Sequence, residues 1–174
     1  MKMDFDLIFE NYLVEWYKAH ETEFENVEDM EEMLPEIYNE WADSPSEQMG
    51  GIAPRAFFAN ITVPEELVNI LIGTSTGEQN PCSLLLDRIA EVSDCAAGLE
   101  KIVGGNYSVK QKMIAANLLK EMNVSQPLDT YVAWLTSEKC DAELKELAVE
   151  ILAENANAVA EKVFPLINNA DITL

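Results

Sequence analysis

"DAELKELAVEILAEN", residues 141–155, places Leu144, Leu147, Ala148, Ile151 and Leu152 at i, i+3, i+4, i+7 and i+8. That is the apolar stripe of an amphipathic helix. Asp141 stands where an N-cap is needed, and charges fill the opposite face. Such a helix cannot bury its stripe alone. Its neighbours decide whether it joins a compact bundle or a stack of helix pairs.

The same punctuation continues toward the N-terminus. "SVKQKMIAANLLKEM" (108–122) opens with Ser108 and has Gln111 three residues on, the signature of a capping box. "DCAAGLEKIVGG" starts at Asp94 and stops at Gly104-Gly105. "NPCSLLLDRIAEVS" reads as a helix capped by Asn80 with Pro81 first, and "TVPEELVNILIGTS" as one capped by Thr62. "PLDTYVAWLTSE" (127–138) and "NANAVAEKVFPLI" (155–167) add two more near the C-terminus. Strand signals are nearly absent, so the expected fold is all-α.

The first helix is expected over about 5–20, with Ile8, Tyr12, Leu13 and Trp16 on one side, and a second over about 27–41. Pro35 should kink or restart that second helix. Gly50-Gly51 then ends a segment, and Pro54 opens a short helix carrying Phe57 and Phe58. Residues 1–60 hold 15 acids and 3 bases, residues 61–174 hold 17 and 8. Turn and charge shift together suggest an acidic helical segment over 1–60, followed by a helical repeat region over 61–174.

Within that second region, residues 94–122 align on later residues at a shift of 35 (129 − 94), Asp94 falling on Asp129 and Val109 on Leu144. The second helices, "SVKQKMIAANLLKEM" and "DAELKELAVEILAEN", resemble those of HEAT-like repeats over roughly residues 94–154, in a period shorter than the usual ~40–47 residues. The compact bacterial variants of that family are nearer. The resemblance implies a short right-handed stack of antiparallel helix pairs, capped at its N-terminal end by the acidic segment.

A net charge of −21 argues against a nucleic-acid partner and against docking on anionic membranes. No apolar run approaches the ~20 residues of a membrane span. Three dispersed cysteines, a single histidine and an N-terminus without a basic, then apolar, leader point to a reducing, cytoplasmic setting. They assemble no metal site, and no cofactor motif is present. His20 ends a helix and reads as structural.

The function these features favour is non-catalytic: a scaffold or interaction module that takes another protein or a peptide. Candidate binding residues are Lys110, Lys112 and Lys145 on the second helices, which stand out against an acidic background, and the aromatics Trp16 and Trp41. Trp16 and Tyr17 point about 100° apart on one helix, so one of them belongs on a surface. An alternative is a small ligand-binding or enzymatic domain with a pocket lined by Trp41, Phe57 and Phe58, where Glu36 and Glu40 would supply acid–base groups. A compact bundle without a function of its own is the third reading.

Overall fold

The computed structural model describes residues 4–22, 24, 27–77, 79–157 and 159–160. Those residues form helices and turns with no β-strand. The helices are α1 (Phe5–His20), α2 (Val27–Asp43), α3 (Pro54–Ala59), α4 (Pro64–Thr74), α5 (Ser83–Glu91), α6 (Ala96–Gly104), α7 (Val109–Glu121), α8 (Leu128–Thr136) and α9 (Ala142–Glu154). The helix expected over 155–167 lies largely outside the described residues.

Local chemistry explains most helix starts. The Asp4 carboxylate accepts from the Leu7 N–H at 3.2 Å, capping α1. Ser108 and Gln111 make both bonds of the capping box that opens α7. Asp141 accepts from the Glu143 N–H at 3.0 Å and starts α9. Two starts differ from expectation. Val63, not Thr62, is the N-cap of α4, because Pro64 takes the first helical position and holds its predecessor extended. α5 begins at Ser83 after Cys82, since Pro81 and Cys82 are buried ahead of the helix. α2 runs through Pro35 without a restart. Pro35 and Glu31, whose carbonyl loses its intrahelical donor, are both exposed, so water can serve that oxygen.

The chain divides into two compact units, Met1–Gly98 and Leu99–Leu174. The division falls inside α6. The Gly50-Gly51 turn therefore lies within the first unit, and residues 61–98 belong with the segment before them.

In the first unit α3 packs on α2 and α5, and α4 packs on α5. Ile37, Trp41, Phe58, Leu67, Leu71, Leu85 and Ile89 form its core, each no more than 2% exposed. The turn after α2 is closed by Gly51 N–H to Ser46 O at 2.8 Å and Ser46 N–H to Ile52 O at 3.2 Å. Gly50 and Gly51 adopt φ of +70° and +81°, which only glycine enters without strain.

Gly98 shows how closely this unit is packed. A Cβ built on it would lie 2.8 Å from Val68 Cγ2 and 3.2 Å from Cγ1. Val68 is β-branched and buried, so it has no free rotamer to swing into. Glycine to alanine inside a helix ordinarily stabilises by about 1 kcal/mol. Here the overlap reverses the sign, and Gly98→Ala is expected to cost about 1–2 kcal/mol. Denaturant unfolding of the cycle with Val68→Ala checks it: the second substitution should restore much of the loss. A Gly98→Ala chain more stable than the parent would show that α4 yields.

The second unit centres on α8 and α9, which lie close along their lengths, with α7 packed on α9. Leu99, Ile102, Val103, Ala115, Ala116, Leu119, Tyr131, Ala148 and Ile151 are its most buried side chains, each no more than 1% exposed. α6 and α8 each have 9 residues, α7 and α9 each 13. From Ala96 to Leu128 is 32 residues (128 − 96), and from Val109 to Ala142 is 33 (142 − 109). The helix starts in this region are thus spaced by 32 and 33 residues, where the sequence alignment used a shift of 35. Ser108 caps α7 and Asp141 caps α9, so at the spacing of the caps Val109 falls on Ala142 rather than on Leu144. The two pairs also differ, since α6 and α7 make far less close contact than α8 and α9.

Candidate functional site

Three lysines were singled out on the second helices, and the structure separates them. Lys112 lines a groove of about 450 Å³ in the second unit, together with Val109, Trp134, Lys139, Cys140 and Leu144. Lys110 and Lys145 do not line it. Lys120, on the same helix as Lys112, is held by Glu150 at 2.5 Å and Glu154 at 2.8 Å, and these acids raise its pKa. Asp141 makes no ion pair with Lys145. Its contact there is backbone, the Lys145 N–H donating to its carbonyl at 3.1 Å.

Three helix ends build the groove. The capping box fixes the first turn of α7, which carries Val109 and Lys112. α8 ends at Thr136, and Ser137 turns the chain into an extended conformation. The Cys140 N–H closes the following turn on Ser137 O at 3.3 Å. Asp141 then starts α9 and places Leu144 in its first turn. Trp134 is 7% exposed and meets Tyr131 edge-on at 5.2 Å, so the apolar wall is rigidly backed.

The electrostatics follow from these placements. Two lysines and one carboxylate, that of Asp141, line the groove. Neither Lys112 nor Lys139 has an ion-pair partner within 4 Å among the described residues. The first turns of α7 and α9, where backbone N–H groups carry partial positive charge, both contribute to the lining, the α9 end being capped by Asp141. Residues 99–174 hold 11 acids and 7 bases, net −4, whereas residues 1–98 hold 21 and 4, net −17. The groove is thus a cationic spot on the less acidic unit.

The aromatic candidates do not make a site. Trp41 is 1% exposed and packs against Phe9 and Tyr38 at 5.1 Å each. Trp16 donates its indole N–H to Glu40 Oε2 at 3.1 Å and stacks on His20 at 4.1 Å. His20 Nδ1 lies 2.7 Å from Trp16 O, so the histidine closes the end of α1. The pocket expected from Trp41, Phe57, Phe58, Glu36 and Glu40 is not assembled. Trp41 and Phe58 line different cavities, of about 260 and 280 Å³. Phe57 packs on Phe5 and Phe58, and Glu36 and Glu40 are exposed. Their carboxylates sit outside both cavities because α2 turns them to solvent while Trp41 faces the core.

The second cavity holds both arginines of the chain. Arg55 donates to Asp43 at 2.8 Å, and Arg88 reaches Glu91 at 3.3 Å and the Ile61 carbonyl at 3.4 Å. Arg55 thus ties α3 to α2, and Arg88 ties α5 to the segment between α3 and α4. No group of three or more metal-ligating side chains converges among the described residues, and no helix there is long and apolar enough to cross a membrane. The chain matches no protein-family model, and no curated protein and no solved structure matches it significantly.

Proposed function

We propose that the chain is a protein-interaction module whose second unit takes an acidic, amphipathic segment of another protein in the groove of Lys112 and Lys139. The observation that carries this is the pair of lysines with no ion partner among the described residues, beside an apolar wall of Val109, Trp134 and Leu144. Apolar residues of the segment would cover that wall, and its carboxylates would meet the lysines and the two helix N-termini.

A HEAT-like pair of repeats is the architecture we favour for this unit. The equal helix lengths support it, as do matched buried positions at the observed spacing: Leu99 with Tyr131, Ile102 with Trp134, Ala115 with Ala148, Leu118 with Ile151. The groove then opens between the ends of successive second helices rather than along a concave lysine face. In this reading the protein works in the cytoplasm, and no nucleic acid or membrane is its partner.

The test uses a fluorescein-labelled peptide with leucine and glutamate at helical spacing, followed by anisotropy at physiological salt. Lys112→Glu with Lys139→Glu should weaken binding about tenfold, since each reversal removes one attraction and adds one repulsion. Lys110→Glu with Lys145→Glu should change it by less than about threefold. Both pairs are at or near the surface, so thermal midpoints should hardly move. Equal losses in the two variants would mean general charge attraction and would remove the groove from consideration.

A further inference from the structure

We propose that the outward face of α1 is a second docking surface, and that its occupant is a basic amphipathic helix of another protein. α1 buries Phe5 and Ile8 and partly buries Phe9, Tyr12, Leu13 and Trp16. Its other side leaves Leu7 53%, Val14 51% and Tyr17 40% exposed. At about 100° per residue Leu7 and Val14 fall within about 20° of each other, and Tyr17 lies about 60° further round. Large apolar side chains scattered singly need no explanation, but these three fall within about 80° of one helix face.

Charge selects the occupant. Glu10 and Glu21 are exposed between Val14 and Tyr17 around the helix, and Asp6 is exposed beyond Tyr17. Lys18, on its other side, is neutralised by Glu15 at 2.6 Å. The unit as a whole carries 21 acids against 4 bases. A face on which apolar side chains alternate with carboxylates, on a strongly negative body, complements an amphipathic helix whose leucines are flanked by lysine or arginine. A second copy of this chain would set like charges against each other across a two-fold contact. An anionic bilayer would be repelled. This surface is in the first unit and of opposite charge to the groove, so the two proposals stand or fall separately.

The probe is a labelled peptide of roughly 18 residues, five helical turns, with leucine and lysine at helical spacing. A scrambled peptide of identical composition is the control. The intact chain should bind the amphipathic peptide at least about tenfold more tightly than the scrambled one, because only the former presents one apolar face. Leu7→Ser with Val14→Ser should abolish that preference while leaving the weak, salt-sensitive attraction common to both peptides. Glu10→Lys with Glu21→Lys should weaken the amphipathic peptide further with rising reversal of charge. All four sites are exposed, so the circular dichroism and unfolding midpoint of the variants should match the parent. Equal binding of the two peptides would overturn the proposal, as would a preference that survives Leu7→Ser with Val14→Ser. A concentration-dependent dimer, or binding to phosphatidylcholine vesicles, that is lost in the same serine variant would assign the stripe to self-association or to a lipid surface instead and would equally overturn it.

Discussion

Replacing Tyr131 by alanine should destabilise the second unit by about 3–5 kcal/mol, the largest effect expected of any single substitution there. The ring is fully buried and meets Trp134 edge-on at 5.2 Å. Truncation removes that contact and leaves a cavity in the core of the unit that its packed helices cannot fully close. Its hydroxyl donates to Gln126 Oε1 at 3.1 Å, anchoring the segment that leads into α8. Tyr131→Phe keeps the ring and removes only this bond, so it should cost about 1 kcal/mol. The ratio of the two losses separates ring packing from hydrogen bonding. Denaturant unfolding followed by near-ultraviolet circular dichroism measures it, Trp134 being the one tryptophan of this unit. A loss below about 1 kcal/mol for Tyr131→Ala would mean that α8 and α9 are not held as described. The same variant bears on the groove, because Trp134 rests on this ring.

Raising the pH above 9 should destabilise the first unit progressively. Cys82 is 8% exposed, and burial pushes its thiol up to about 11, against the opposing pull of backbone N–H groups at the start of α5. The charge of Asp6 adds to the rise. In the unfolded chain the thiol ionises near 9, so between about 9 and 11 the folded chain retains a proton that the unfolded chain releases. Stability therefore falls as pH rises through that window and is fully present below it. The displacement corresponds to a loss of about 2–3 kcal/mol at the top of the window. Tyr38, which accepts a hydrogen bond from Ser83 at 2.7 Å, is likewise held above its ordinary value by burial, and its ionisation acts in the same direction at higher pH. The thermal midpoint should be flat from pH 7 to 8.5 and then decline. Cys82→Ala should remove the first part of the decline while lowering the starting midpoint slightly through lost packing. An unchanged slope in that variant would move the effect to the tyrosines alone.

Local signals carried the helices whose ends are chemically marked. Asp141 and the Ser108–Gln111 pair can be read as caps because each acts within three residues, and the structure shows both bonds. The α1 span was legible for the same reason: its apolar spacing needs no knowledge of what covers it. Thr62 and Asn80 misled because a cap competes with tertiary burial. Pro64 displaced the first by one residue, and the burial of Pro81 and Cys82 displaced the second. Trp41 stood out as a large aromatic and a candidate binding residue; Tyr38 lies one turn back on the same helix, but the Phe9 ring that covers it comes from α1, 32 residues away (41 − 9).

The amino-acid order by itself determined an all-helical chain, its acidity and the positions of most caps, because periodicity, charge and capping act over one or two helical turns. Tertiary structure alone decided which lysines meet. Lys112 and Lys139 are 27 residues apart (139 − 112) and share no pattern, yet the turn after α8 brings Lys139 to the mouth of the groove that Lys112 lines. Lys120, equally prominent in the sequence, was taken out of play by two acids on α9. The spacing of the helix starts, 32 and 33 residues, was likewise visible only in the fold. Amphipathic helices align in several registers nearly equally well, and the one that counts is set where the backbone is capped and the side chains close on a shared core.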